Sequence, residues 1–201
     1  MARRLSPEAR RAEIIATTQE AIASDGYRAL SLREVARRCG MSAPGLMHYF
    51  PDMGSLLAAV LDRRDETDLA VIFDDAGNLP LLELFSTARG YYAARAGEAE
   101  SFDALEAEAL DPGHPAHDYF VRRNERTLER MRPRIEREFV NADHVLRLMG
   151  LLLDGIRLRH LRSVTAGEAD TNMTESGDEW LAVRYLLETL PRRSEPDPPG
   201  G

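Results

Sequence analysis

Lysine is absent from the 201 residues: all 26 basic side chains are arginine, set against 34 carboxylates for a net charge of −8. Cysteine and tryptophan occur once each, and aromatics make up only 6% of the chain. A single cysteine closes no internal disulfide, which excludes a disulfide-stapled scaffold and suits a reducing cytoplasm. No apolar run approaches the roughly 20 residues a membrane span needs, so no membrane partner is expected. The opening MARRLSPEARR is basic but has no apolar stretch behind it, so it does not read as a secretory signal. No alternating strand pattern, hairpin dipeptide pair or internal repeat stands out. Neither a phosphate-binding glycine loop, a zinc motif, nor a supported Ser/His/Asp or Cys/His set is found, so no enzyme activity, metal or cofactor is expected.

What is present is an uneven distribution of charge and a strong helical pattern. Up to Arg64 there are 10 arginines against 7 carboxylates, net +3; the remainder carries 16 against 27, net −11. A basic head on an acidic body grips phosphate locally while the body is kept off it. Within the head, Ser31 to Phe50 reads as two short helices joined by a tight turn, the layout of a helix-turn-helix. Ser31 and Glu34 are spaced for a capping box, with Leu30 and Val35 placed as a hydrophobic staple. Gly40 supplies the left-handed residue that ends the first helix. Ser42 caps the second, and Pro44 is tolerated in its first turn, where amides have no intrahelical partner.

Around this motif, Gly26-Tyr27, Ser31-Leu32-Arg33-Glu34-Val35-Ala36, Cys39-Gly40-Met41-Ser42, and Leu46, Tyr49 and Phe50 ahead of Pro51-Asp52 resemble the N-terminal domain of TetR-family transcriptional regulators. The likeness covers about the first third of the chain without a gap. By position in that motif, Arg33 is the candidate for a bidentate guanine contact. Ala43, Pro44, Gly45 and Met47 would face the groove floor, and Ser42, His48 and Tyr49 would hold phosphates. Relatives often carry lysine, threonine and tyrosine where this chain has Ala43, Gly45 and Met47, and Met53 stands in place of the usual lysine after the fourth-helix cap. With so few polar readers, specificity would lean on Arg33 and on DNA shape. Leu46 and Phe50 are assigned to the core.

The expected fold is all-α: an N-terminal three-helix DNA-binding domain (1–51), a connecting helix (52–77), a helical effector-binding and dimerisation domain (78–191), and a disordered tail (192–201). In the body, Pro133 should kink or split a long helix. Val145 to Leu161 is apolar nearly all round, which requires burial on two sides. Trp180, Val183, Leu187 and Leu190 form a second stripe behind a Ser176–Glu179 capping box. Two such helices per chain, paired with their symmetry mates, would make a four-helix homodimer interface through Leu148, Leu152, Ile156, Trp180, Val183 and Leu187. The resemblance implies a small-molecule effector pocket, for which Phe85, Tyr92, Phe102, Phe120, Met131, Met149 and Leu152 are candidates. It also implies a double-stranded DNA operator as partner and release of a repressor by the effector. An all-helical ligand carrier or enzyme with a structural N-terminal hairpin is the alternative. His114, His117, Asp111 and Asp118 are read as loop residues and Cys39 as packing.

Overall fold

The computed structural model describes residues 5–74, 78–165 and 178–193. The Arg3–Arg4 arm, Gly77, the Ser176 cap and the tail from Ser194 lie outside them. Among the described residues the fold is helical, with no strands: α1 (Pro7–Asp25), α2 (Leu32–Arg38), α3 (Ala43–Met47), α4 (Met53–Leu69), α5 (Leu81–Ala93), α6 (Ala96–Glu108), α7 (His117–Glu138), α8 (Ala142–Thr165) and α9 (Asp178–Thr189). A 3-10 turn (Tyr27–Ala29) leads into α2, and a π-helical turn (Ala70–Asp74) extends α4 toward Phe73. The chain divides into two compact units, Met1–Ala70 with Ala96–Val121, and Val71–Arg95 with Arg122–Gly201.

The first unit is built on α1. Its Ser6 cap accepts the Ala9 amide, Pro7 occupies the first turn, and Ile14, Ile15, Thr18, Ala21 and Ile22 form the buried stripe. Gly26, at φ +78°, ends the helix in a conformation an L side chain rarely adopts. Ile14, Val35, Leu46 and Leu56 are fully buried in one cluster with Phe50, Leu57 and Leu61. Each such side chain contributes roughly 1.5–3 kcal/mol by leaving water. The sequence places α6 in the C-terminal domain; the structure clusters it with the head instead. Ser101 donates from Oγ to the Ala23 carbonyl (3.3 Å), Arg28 pairs with Glu108 (3.0 Å), and Tyr119 donates from Oη to the Leu61 carbonyl (2.8 Å). Phe102 and Phe120 meet edge to face at 5.0 Å in the same cluster.

The second unit buries Leu81, Leu84, Ile135, Phe139, Met149 and Leu187. No side chain at Pro80 caps α5; the Leu81 amide donates instead to Glu138 Oε1 at 2.7 Å, from 57 residues along the chain. Pro133 lies inside α7, which is carried through as one helix and not split. At Gly150 the Leu128 side chain comes close, 3.3 Å from where a Cβ would be. Val183 and Leu187, expected at the dimer interface, are 2% and 0% exposed in the single chain. They are spent on this unit's own core and have no surface left for a partner. Among the described residues of α8 and α9, the large apolar side chains left in solvent are Leu151, Leu158, Leu181 and Tyr185.

Candidate DNA-reading surface

The turn between α2 and α3 is fixed by backbone hydrogen bonds. The Gly40 amide donates to Arg37 O (3.2 Å) and the Met41 amide to Ala36 O (2.9 Å). These are the two bonds of a Schellman motif, with Gly40 at φ +63° in its left-handed position. Ser42 then opens α3, its Oγ accepting the Gly45 amide at 3.2 Å. Leu46 and Phe50 anchor the hairpin from below. Of the eight residues expected to read DNA, Arg33, Ser42, Pro44, Met47 and His48 are exposed and Ala43, Gly45 and Tyr49 are half-buried. The hairpin thus keeps all eight at least partly accessible. Arg33 has no ion-pair partner among the described residues.

The capping box at α2 forms by half. Ser31 Oγ accepts the Glu34 amide at 3.2 Å, but the Glu34 carboxylate does not return to the Ser31 amide. It turns to the arginines of its own helix. Oε1 accepts from Arg37 Nη2 (2.7 Å) and Arg38 Nε (2.9 Å), and Oε2 accepts from Arg37 Nε (2.8 Å). Arg38 also donates from Nη2 to Asp25, tying α2 to the end of α1. The hydrogen bonds from Arg37, then from Arg38, pull the Glu34 carboxyl from its ordinary value down to about 2. A depressed folded-state pKa stabilises the fold above the unfolded value, and that contribution fades as pH falls toward the folded one. Replacing Glu34 with Gln is therefore expected to lower the thermal midpoint at neutral pH but not near pH 2. Melting curves across pH 2 to 6 check this; a constant difference would contradict it.

Phe102 and Phe120, which the sequence offers as effector-pocket residues of the body, both lie in the first unit. Phe102 lines a small solvent-open cleft of about 30 Å³ between α1, α4 and α6, with Gln19, Ile22, Val60, Arg64 and Ser101 among its walls. The Arg64 guanidinium sits 3.6 Å from the Phe102 ring centre and pairs with Asp68 at 3.3 Å. No sequence periodicity announces this cleft, because α1 and α6 lie some 75 residues apart in the chain. Phe85, Tyr92, Met131, Met149 and Leu152 are in the second unit; Phe85, Met131 and Met149 are buried, and Tyr92 and Leu152 are half-buried. Leu148, Ile156 and Trp180 are half-buried there too. His114 and His117 have structural roles. His114 accepts the Ala116 amide at Nδ1 (3.2 Å) and packs its ring on Tyr27, and His117 Nδ1 is 2.8 Å from Ala109 O. No helix among the described residues is long and apolar enough to cross a membrane.

Residues 14–60 match the sequence profile of "Bacterial regulatory proteins, tetR family". No curated protein matches the chain by sequence. Among solved structures, a TetR transcription regulator from Haloarcula marismortui is similar at a TM-score of 0.76 and 20% identity, covering 92% of this chain and 100% of that one. Salmonella enterica GusR is similar at 0.70 and 15%, covering 91% and 95%. The multidrug binding protein EbrR complexed with imidazole is similar at 0.67 and 20%, covering 92% and 97%. Residues 14–60 are therefore, by sequence, an N-terminal domain of the tetR family of bacterial regulatory proteins, and the fold of the described residues is similar to that of solved TetR regulators.

Proposed function

We propose that this chain is a DNA-binding transcriptional regulator, a homodimeric repressor released from a palindromic operator by a small-molecule effector. The observation that carries the reading is the exposed hairpin of α2 and α3, matched to the family profile and bearing an arginine with no ion-pair partner among the described residues. Each head would place α3 in the major groove of one half-site. Arg33 would read guanine, Ala43, Pro44, Gly45 and Met47 would pack on the groove floor, and Ser42, His48 and Tyr49 would hold phosphates. EbrR, which shares the fold, binds several drugs by its name and holds imidazole in its structure. That supports an effector for this chain, taken up by the second unit, where Phe85, Tyr92, Met131, Met149 and Leu152 are the candidates. Release requires that the effector bind one state of the dimer more tightly than the state that fits the operator.

A mobility-shift titration against DNA from around the coding region, run across a salt series, tests the reading. A discrete complex that survives competitor DNA and weakens steeply with salt is expected. Weak, sequence-blind binding would overturn it.

The dimer is proposed to form through α8 and α9, which are linked within the chain by Arg159 and Glu179 (2.8 Å). Leu151 and Tyr185, 72% and 71% exposed, are its expected anchors, joined by Leu148, Leu152, Ile156 and Trp180. Burying one leucine from each protomer is worth roughly 3–6 kcal/mol in total at about 1.5–3 kcal/mol each. Leu151→Glu is thus expected to weaken dimerisation by about 100-fold or more while leaving helix content unchanged. Sedimentation at graded concentrations reads this, and an undiminished dimer would place the interface elsewhere.

A further inference from the structure

Arg33 and Arg37 lie four residues apart on α2, so they share one face of the helix, one turn from each other. Both are exposed, and both belong to the surface proposed above to meet DNA. Their electrostatic situations differ. Arg33 has no ion-pair partner among the described residues, whereas both oxygens of Glu34 are engaged by Arg37 in a two-point contact at 2.7 and 2.8 Å. The same carboxylate takes Arg38 Nε at 2.9 Å, and Arg38 is held from its other side by Asp25. The arginine side chains at 37 and 38 are 72% and 29% exposed, so Arg37 is the one with room to reach outward.

Resting on the DNA-binding reading, we propose that Glu34 is a specificity-determining residue: it holds Arg37 in an intrahelical ion pair, so that Arg33 reads the operator while Arg37 adds no phosphate contact on arbitrary DNA. The physical reason is charge accounting at the phosphate backbone. Sequence-independent affinity comes almost entirely from cations that replace condensed counterions, each adding about 0.9 to the salt slope. A guanidinium engaged at two points by a carboxylate has one of its bidentate edges filled and its charge offset, and is a poorer replacement. When a phosphate does draw Arg37 away, the Glu34 carboxylate is left beside the backbone and repels it well inside the roughly 8–10 Å screening distance of physiological salt. On arbitrary DNA the head is free to settle where Arg37 would meet a phosphate, whereas the Arg33 base contact fixes its register on the operator, so holding Arg37 back lowers unrelated binding more than operator binding.

The test uses the full chain and two DNAs, its operator fragment and an unrelated duplex of equal length. Binding is measured from about 50 to 300 mM salt for the wild type, E34Q, R37Q and E34Q/R37Q. Gln at position 34 keeps the backbone amide that Ser31 caps, so α2 is retained; circular dichroism confirms it. E34Q is expected to steepen the salt slope on the unrelated duplex by about one per head and to tighten that binding several-fold near 0.1 M salt, shrinking the ratio between the two DNAs. R37Q alone should leave the slope at the wild-type value. E34Q/R37Q should return to it, because the freed charge is gone.

Three results would overturn the proposal. An unchanged slope in E34Q would mean that Arg37 is out of reach of DNA. Weaker binding by E34Q would mean that Glu34 presents Arg37 to a phosphate. Tightened binding that persists in E34Q/R37Q would trace the effect to the lost carboxylate alone. Salt-independent or absent binding of every protein to both DNAs would overturn the regulator reading, and this inference with it.

Discussion

Replacing Phe102 with alanine is expected to destabilise the chain by about 3–5 kcal/mol, the range for emptying a buried aromatic site. The ring is 5% exposed and meets Phe120 edge to face. It also carries the Arg64 guanidinium on its face, with Arg64 in turn paired to the buried carboxylate of Asp68. Removing the ring therefore leaves a cavity where α6 meets the head and takes the platform from under a partly desolvated cation. Phe102→Leu keeps most of the apolar volume and loses the aromatic contacts, so a smaller loss of about 1–2 kcal/mol is expected. Denaturant unfolding of the three proteins checks the order. Had Phe102 lined an effector pocket in the body, as the sequence suggested, alanine would change effector affinity with a modest cost in stability. A loss below about 1 kcal/mol would restore that view.

The same residue shows where the sequence was legible and where it was not. Ser31, Gly40, Ser42 and Asp52 could be placed because caps and left-handed turns are local: each depends on residues within four positions. Leu46 and Phe50 followed from the same short pattern. Glu34 was half right, since its spacing from Ser31 allows a capping box, but a carboxylate offered two arginines on its own helix forms stronger, charge-assisted bonds than one amide provides. Phe102 and Phe120 were placed in the body for a different reason. Helical periodicity says that a side chain faces a core, and is silent on which core when two units interleave along the chain. Val183 and Leu187 are a like case: they lie on the apolar stripe of α9 and are buried within the single chain, leaving Leu181 and Tyr185 outside. A stripe marks burial; which surface covers it is decided by elements far away in sequence.

Arg33→Ala is expected to remove most of the preference for the operator. A bidentate arginine–guanine contact is worth about 1–3 kcal/mol. A dimer makes two, one in each half-site, and contacts so far apart add nearly independently. The total, about 2–6 kcal/mol, corresponds to a loss of roughly 30-fold to 10⁴-fold in operator affinity. Binding to unrelated DNA should fall much less, because Arg33 is one cation among several at that surface. The contrast with Tyr49→Ala is informative: a phosphate contact carries no sequence information, so its loss should weaken operator and unrelated DNA by a similar factor. Competition shifts with the operator and with single base-pair variants of it separate the two cases. With Ala43, Pro44, Gly45 and Met47 offering no side-chain hydrogen-bond donors, Arg33 is the only strong donor among the proposed base-facing residues. If Arg33→Ala keeps its discrimination, the sequence must be read through the shape and bendability of the duplex, and the variants that matter will be those at base pairs the protein does not touch.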